Sequence, residues 1–307
     1  MSIVERALNK AQGSKPVTPQ PEVPAVAIAR AATQRTRDIG PTTAAPANAP
    51  LMQEAARSPA EVIKLDSGSL RHLGVLPPAG TDERLTEQFR RVKRPIVDFA
   101  TGRGPSESGR TNVAMVTSSV ANEGKTFNSF NLALSIARER DVSVLLVDAD
   151  VAKRHITEAL GLQNRPGLTD SLAEATIDPE SLVLATSVAG LSILPAGRRT
   201  SAAPELFASA RMAEIVRILG DADPRRIVLF DSSPLLLTNE SQALTRLVDQ
   251  IVLVVRAEST PQPVLLEAIN LLDRSKTIRC ILNQARTSGM SEYYYGYGYH
   301  QNDRPAE

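Results

Sequence analysis

The sequence predicts an α/β fold built on a doubly wound, mainly parallel sheet. Short apolar runs at 144–147, 191–194, 227–230 and 251–255 have strand length and the pattern of strands buried on both faces, 113–117 is a buried strand candidate, and 278–282 is the last strand candidate. Helical stretches lie between several of them, at 126–140, 204–219, 240–247 and 263–272. Two of the runs end in aspartate, at Asp148 and at Asp231. Open α/β sheets place their ligands at the carboxyl ends of strands, so that end is where chemistry is expected.

Composition narrows the function classes. Hydrophobic residues are 42% and charged residues 22% of 307, enough apolar material for one large domain. Lys+Arg 35 against Asp+Glu 34 leaves a net charge of +1, so no global field draws the chain to nucleic acid, and no nucleic-acid partner is expected. The single cysteine, Cys280, excludes an intramolecular disulfide and a CxxC metal site and fits a reducing compartment. His72, His155 and His300 lie too far apart in sequence to suggest a histidine-rich metal site. No apolar run approaches the roughly 20 residues that span a bilayer, and the expectation is a soluble cytoplasmic protein.

The chain divides by composition. Residues 1–12 carry Ile3, Val4, Ala7, Leu8 and Ala11 at amphipathic helical spacing, marginal as a helix on its own. Residues 13–60 are rich in Pro, Ala and Thr and read as a disordered linker. Residues 61–110 hold further linker and one helix, 81–99. Leu85, Phe89, Val92 and Ile96 fall on one of its faces, and Glu87, Arg90, Arg91 and Lys93 on the others. Pro95 is expected to end or bend that helix. The folded domain is expected over 111–287, followed by a tail at 288–307. All five tyrosines of the chain, Tyr293, Tyr294, Tyr295, Tyr297 and Tyr299, lie in that tail, and there is no tryptophan. Tyrosine normally serves cores and interfaces. Its confinement to the tail marks a demand specific to that segment.

Ser119-Val120-Ala121-Asn122-Glu123-Gly124-Lys125-Thr126 follows a strand and opens a helix, the context of a phosphate-binding loop. Backbone N–H groups of such a turn and the helix N-terminus attract phosphate. Lys125 would reach the β- and γ-phosphates and the Thr126 hydroxyl would ligate Mg²⁺. The strict pattern has glycine where Ser119 stands. Asp148 and Asp150 leave the second run on the same side of an extended segment. The run 227–230 ends in Asp231, followed by Ser232-Ser233-Pro234, and Asp231 would help hold the metal. In chain order these elements predict a P-loop nucleotide-binding domain.

Here the residues resemble the bacterial tyrosine kinases of exopolysaccharide export, over roughly residues 81–299. The resemblance rests on the loop ending Asn122-Glu123-Gly124-Lys125-Thr126, the Asp148/Asp150 and Asp231 motifs, Leu194-Pro195-Ala196-Gly197, Pro204-Glu205-Leu206, Leu282-Asn283-Gln284 and the tyrosine cluster. Residues 1–8 and Glu87-Gln88-Phe89-Arg90-Arg91-Val92-Lys93 look like the cytoplasmic subgroup of exosortase-associated loci. In that subgroup the membrane-spanning activator is a separate polypeptide.

The resemblance implies an ATP- and Mg²⁺-dependent tyrosine autokinase. Lys125, Asp148, Asp150 and Asp231 are its catalytic residues: Lys125 neutralises the transferring phosphoryl group, and Asp148 accepts the tyrosine proton, a role Asp150 could exchange with it. Thr126, Asp150 and Asp231 organise Mg²⁺. Ser119, Val120, Ala121, Asn122, Glu123, Gly124, Lys125, Thr126 and Phe127 contact the nucleotide, with Asn283 as a candidate adenine contact. Glu87, Arg90 and Lys93 stand at the family's ring-assembly positions, with lysine in place of the final arginine, and imply a homo-oligomeric ring in which one tail enters its neighbour's site. The implied partners are a membrane chain-length-determinant co-polymerase as activator, which would recruit the protein to the inner membrane face, and a tyrosine phosphatase.

The alternative from another class is a P-loop ATPase switch or positioning protein without kinase activity. The septum-positioning and plasmid-partition ATPases of that kind carry an additional lysine five residues before the main one, where this chain has Val120. A third reading, an adaptor acting through its N-terminal helix and Pro-rich linker, leaves the complete set of Lys125, Thr126 and three aspartates without a use.

Overall fold

The computed structural model describes residues 62–74, 82–102 and 111–286. The expected N-terminal helix at 1–12, the linker at 13–60 and the tail at 288–307 lie outside the described residues. In chain order the elements are α1 (Ser67–His72), α2 (Asp82–Ala100), β1 (Val113–Ser118), α3 (Lys125–Ile136), β2 (Ser143–Ala149), α4 (His155–Ala159), α5 (Leu168–Ala173), a 3₁₀ turn (Pro179–Leu182), β3 (Leu184–Ala185) and β4 (Leu191–Leu194). They continue with α6 (Ala203–Phe207), α7 (Ala210–Asp221), β5 (Arg226–Ser232), α8 (Asn239–Thr245), β6 (Gln250–Arg256), α9 (Gln262–Asn270) and β7 (Thr277–Asn283).

The strands form one sheet in the order β3-β4-β2-β5-β1-β6-β7. Every neighbouring pair is parallel except β3 with β4. Side chains alternate across the sheet into two buried cores. On one face Met115, Leu145, Val147, Phe230 and Leu253 pack with residues of α5 to α9; on the other, Ala114, Val116, Leu146, Leu229 and Val252 pack with α2, α3 and α4. Burial on both faces is why the central strands β1, β2, β5 and β6 read as apolar runs rather than as alternation. The doubly wound, mainly parallel sheet expected from the sequence is the fold.

Three local expectations differ. Helix α2 continues through Pro95 to Ala100, with Ile96, Val97 and Phe99 beyond the proline all buried. Tertiary packing there outweighs the one backbone bond a proline removes. The helix expected at 204–219 is two helices, α6 and α7, broken at Ser209, whose extended backbone and hydroxyl cap α7 by accepting from the Met212 amide. Lys93 is not on an outer face of α2. It follows Phe89 by four residues and precedes Ile96 by three, which puts it in the buried stripe at 9% exposure. Its ammonium donates to the Ser135 carbonyl at 2.7 Å and pairs with Glu139 at 2.7 Å, so it caps the C-terminal end of α3. Glu87 and Arg90 are exposed and pair with each other at 3.4 Å.

The stretch 62–74 closes one side of the sheet. The Ile63 amide donates to the Ala185 carbonyl at 2.9 Å, and the Ser187 amide to the Ile63 carbonyl at 2.8 Å. No helix among the described residues is long and apolar enough to cross a membrane.

Candidate active site

The site is assembled at the carboxyl ends of β1, β2 and β5, three adjacent central strands. The turn from β1 to α3 contains two positive-φ residues, Asn122 at 65° and Gly124 at 95°. Asparagine and glycine are the residues that adopt this conformation most readily. A side chain at position 124 would also bring a Cβ to 2.1 Å from Nδ2 of Asn283. Helix α3 has no side-chain cap and no acidic residue in its first turn, which leaves its N-terminal amides facing the turn as anion donors.

The loop is braced from behind by β6 and β7. Glu123 is 1% exposed and its carboxylate accepts from the Val120 amide at 2.8 Å and from the Thr260 hydroxyl after β6. Asn283, at the end of β7, donates to the Glu123 carbonyl at 2.9 Å. Both side chains therefore hold the loop's shape. The Phe127 ring packs on Phe89 of α2 with centroids 6.2 Å apart. Ser118, the last residue of β1, donates to the Val120 carbonyl at 2.7 Å. The Ser119 hydroxyl is buried without a partner, and Val120 and Ala121 are half-buried.

Four charged groups converge in front of this loop. Asp148 and Asp231 are direct neighbours in the β2–β5 register, on strands about 4.8 Å apart. Both oxygens of Asp231 are engaged, one by the Thr126 hydroxyl and the other by the Ser129 hydroxyl, each at 2.8 Å. Asp150 accepts from the Ser233 hydroxyl at 3.0 Å, and its other oxygen lies 3.6 Å from the Lys125 ammonium. Lys125 and Asp150 are 5% and 1% exposed. Asp148 is held by Thr157 alone, through the amide at 2.8 Å and the hydroxyl at 2.7 Å.

Three buried carboxylates against one ammonium resist ionising together. Burial, then the neighbouring Asp231, push Asp148 up to about 7, against the hydrogen bonds from Thr157. Burial pushes Asp231 up to about 6, while Lys125 and the Ser129 and Thr126 hydroxyls pull it down. Asp148 Oδ1 and Asp150 Oδ2 are buried with no hydrogen-bond donor. Oxygen-only donors with orphaned carboxylate atoms fit a hard divalent cation. Among the described residues no group of three or more His, Cys, Asp or Glu is placed to hold a metal ion by itself.

A cavity of about 700 Å³ opens beside Thr126, lined also by Leu73, His155, Glu158, Ala159, Leu160 and Gly161. That is within the size range of ligand pockets, with apolar and polar walls both present. The segment Leu194-Pro195-Ala196-Gly197 borders the site through Ala196, whose amide donates to the Thr157 hydroxyl at 2.9 Å. Gly197 has φ 86°, and a Cβ there would sit 2.4 Å from an Asp170 oxygen. Burial raises the Asp170 carboxyl, but bonds from Arg198 and from the Gly167 and Arg198 amides hold it below its usual range.

The structure thus brings Lys125, Thr126, Asp148, Asp150 and Asp231 together. It sets Glu123, Asn283 and the Phe127 ring in supporting positions and Glu87, Arg90 and Lys93 on α2. Ser129 and Thr157 were not singled out from the sequence, and Ser233 was named there only as part of the segment after Asp231. Ser129 carried a usable signal, since it lies three residues after Thr126 on the same helix face. Thr157 carried none, because its partner is nine residues away across a turn.

No family model matches the chain. Tyrosine-protein kinase YwqD of Bacillus subtilis is 30% identical over 237 residues, covering 76% of this chain and 96% of that protein. The chain belongs to the bacterial tyrosine kinases. The putative tyrosine-protein kinase CapB of Staphylococcus aureus is 28% identical over 217 residues, 70% of this chain and 90% of that protein. Among solved structures, the kinase domain of VpsO is 32% identical with a TM-score of 0.55, covering 68% of this chain and all of that domain. The P-loop fold and tyrosine-kinase membership expected from the sequence are therefore those of its relatives.

Proposed function

We propose that the chain transfers the γ-phosphoryl group of ATP to its own tyrosines, Tyr293, Tyr294, Tyr295, Tyr297 and Tyr299, with the tail of one copy entering the site of another. The observation that carries this reading is the convergence of Lys125, Thr126 and three buried aspartates in a chain whose five tyrosines all lie within seven tail positions. The loop amides and the Lys125 ammonium hold the phosphates, and Thr126 with Asp150 and Asp231 is the set that would hold Mg²⁺. That ion supplies neutralisation of phosphate charge during transfer. Free tyrosine has a pKa of about 10, so its hydroxyl is a weak nucleophile at neutral pH. Asp148 accepts that proton as the phenol oxygen attacks, and positioning of the two reactants supplies most of the activation. The cavity beside Thr126 offers the acceptor side chain an approach to the loop.

Each phosphorylation adds about −1.5 to −2 charge to the tail. A multiply phosphorylated tail is repelled from a carboxylate-lined site, which makes modification a release signal. In this reading Glu87 and Arg90 on the exposed face of α2 support ring assembly. A separate membrane co-polymerase activates the kinase at the inner membrane face, a tyrosine phosphatase resets it, and the cycle regulates exopolysaccharide synthesis or export. The inward position of Lys93 leaves the ring contact to the first two residues of that motif.

The test is intact-mass spectrometry of full-chain protein incubated with Mg·ATP, beside Lys125→Met, with peptide mapping. Successive phosphoryl additions on residues 293–299, absent from Lys125→Met, are expected. Tail phosphorylation that survives in Lys125→Met refutes the reading.

A further inference from the structure

The three carboxylates are held in different ways. Both oxygens of Asp231 accept from hydroxyls. Asp150 is held on one oxygen by Ser233 and the Lys153 amide at 3.3 Å and faces Lys125 with the other. Asp148 alone is clamped by a single residue on a single oxygen, with the Thr157 amide and hydroxyl both donating to Oδ2. Its Oδ1 is buried and accepts nothing.

A threonine hydroxyl has one proton to donate. Here that proton goes to Asp148, and the Ala196 amide fills a lone pair from the opposite side at 2.9 Å. The Thr157 side chain is 0% exposed, so no water competes for either bond. The rotamer of Thr157 is therefore set by the loop after β4, and Thr157 in turn sets the plane of the Asp148 carboxylate.

We propose that Thr157 is a positioning residue for phosphoryl transfer, clamping Asp148 by Oδ2 so that Oδ1 is presented to the acceptor hydroxyl. In the step it serves, the phenol O–H proton passes to Oδ1 as the phenol oxygen bonds to the γ-phosphorus. The bond from that phosphorus to the β–γ bridging oxygen breaks, and ADP leaves with the electron pair. Without the hydroxyl, the single remaining amide bond lets the carboxylate rotate, and in-line encounters become rarer. The inference rests on the tyrosine-transfer reading above and adds to it the group that orients the proton acceptor.

The experiment compares wild type, Thr157→Val, Thr157→Ser and Lys125→Met as full chains, in steady-state tyrosine phosphorylation with Mg·ATP. Binding of a fluorescent ADP analogue without Mg²⁺ and thermal unfolding are measured alongside. Loss of one hydrogen bond to a carboxylate is expected to lower kcat about 10- to 100-fold in Thr157→Val. KM for ATP and affinity for the ADP analogue are expected to change by less than about twofold, because the Thr157 hydroxyl bonds to Asp148 and to the Ala196 amide, not to the loop or Lys125. Thr157→Ser, which keeps the hydroxyl and loses only the methyl group, is expected to recover kcat to within about threefold of wild type. Should Thr157→Val not fold, Thr157→Ala takes its place under the same expectation. Wild-type kcat in the variant lacking the hydroxyl, or an equal loss in Thr157→Ser, overturns the inference while leaving the kinase reading intact. A wild-type chain that phosphorylates no tyrosine overturns the kinase reading and the inference with it.

Discussion

Replacing Asp148 by asparagine should make the metal-free protein more stable, and the gain should grow with pH. The substitution keeps the shape of the side chain. The amide oxygen can still accept the two Thr157 bonds at 2.8 and 2.7 Å, and the amide NH₂ falls where Oδ1 has no donor. What disappears is a buried ionisable group. Burial and Asp231 raise Asp148 to about 7 in the folded chain, from 3.8. A carboxyl raised on folding holds its proton more tightly in the native state. Its contribution to stability is fully present in acid and declines as pH rises from about 4 to about 7. The cost in wild type works out at about 2 kcal/mol near pH 5 and about 4 kcal/mol near pH 7.5, so Asp148→Asn should gain a difference of about 2–3 kcal/mol across that window. In a domain of this size that corresponds to an added Tm shift of about 5–10 °C. The assay is denaturant or thermal unfolding of both proteins at several pH values, without nucleotide and with a chelator. A stability difference that is flat with pH, or a variant less stable than wild type at pH 7.5, refutes the argument that this site stores uncompensated charge. The same variant should be inactive as a kinase, the usual relation between a strained site and its function.

Three further outcomes follow from the same geometry. Asn283→Ala removes the bond to the Glu123 carbonyl and should cost about 1 kcal/mol in stability and roughly fivefold in nucleotide affinity, read by unfolding and by titration of a fluorescent ADP analogue. Lys93→Ala uncaps the Ser135 carbonyl and leaves Glu139 unpaired; a loss of about 1–3 kcal/mol in chemical denaturation is expected. Gly197→Ala forces a Cβ to 2.4 Å from Asp170 and 2.6 Å from Thr169 at φ 86°. It should destabilise by about 3 kcal/mol or more, and soluble yield with circular dichroism melting checks it.

The central apolar runs are strands because burial on both faces removes any polar register, and that signal survives in one sequence; β7, at the end of the sheet, is only partly buried. Lys125, Thr126, Asp148, Asp150 and Asp231 were legible for a related reason: Lys125 and Thr126 open α3, Asp148 and Asp231 are the last residues but one of β2 and β5, and Asp150 directly follows β2, so local order fixes each place. Asp148 and Asp231 meet because β2 and β5 are adjacent in register, although 83 positions separate them in the chain. The region 155–185 was not legible. Its helices α4 and α5 have five and six residues, too short to establish a period. β3 has two residues. Thr157 and Asp170 take their meaning from Ala196 and Arg198, and nothing local announces such pairings. Lys93 misleads by type: its charge reads as an outer face, yet its aliphatic stem lies along the apolar stripe while the ammonium reaches the end of α3.

The two margins of the sheet are not alike. Along β3 the backbone around Ile63 satisfies Ala185 and Ser187, while β7 is the last strand at the opposite end and carries Leu282 at 52% exposure. Unsatisfied strand backbone is a template for another chain to add to. A fragment begun at residue 75 would therefore lose the pairing of Ile63 with Ala185 and Ser187 on the β3 margin. It would also lose Leu73 from the wall of the cavity beside Thr126. Such a fragment should be less soluble than the longer chain for reasons unrelated to its core, and the stretch 62–74 acts as a selvedge that keeps the sheet from growing on that side.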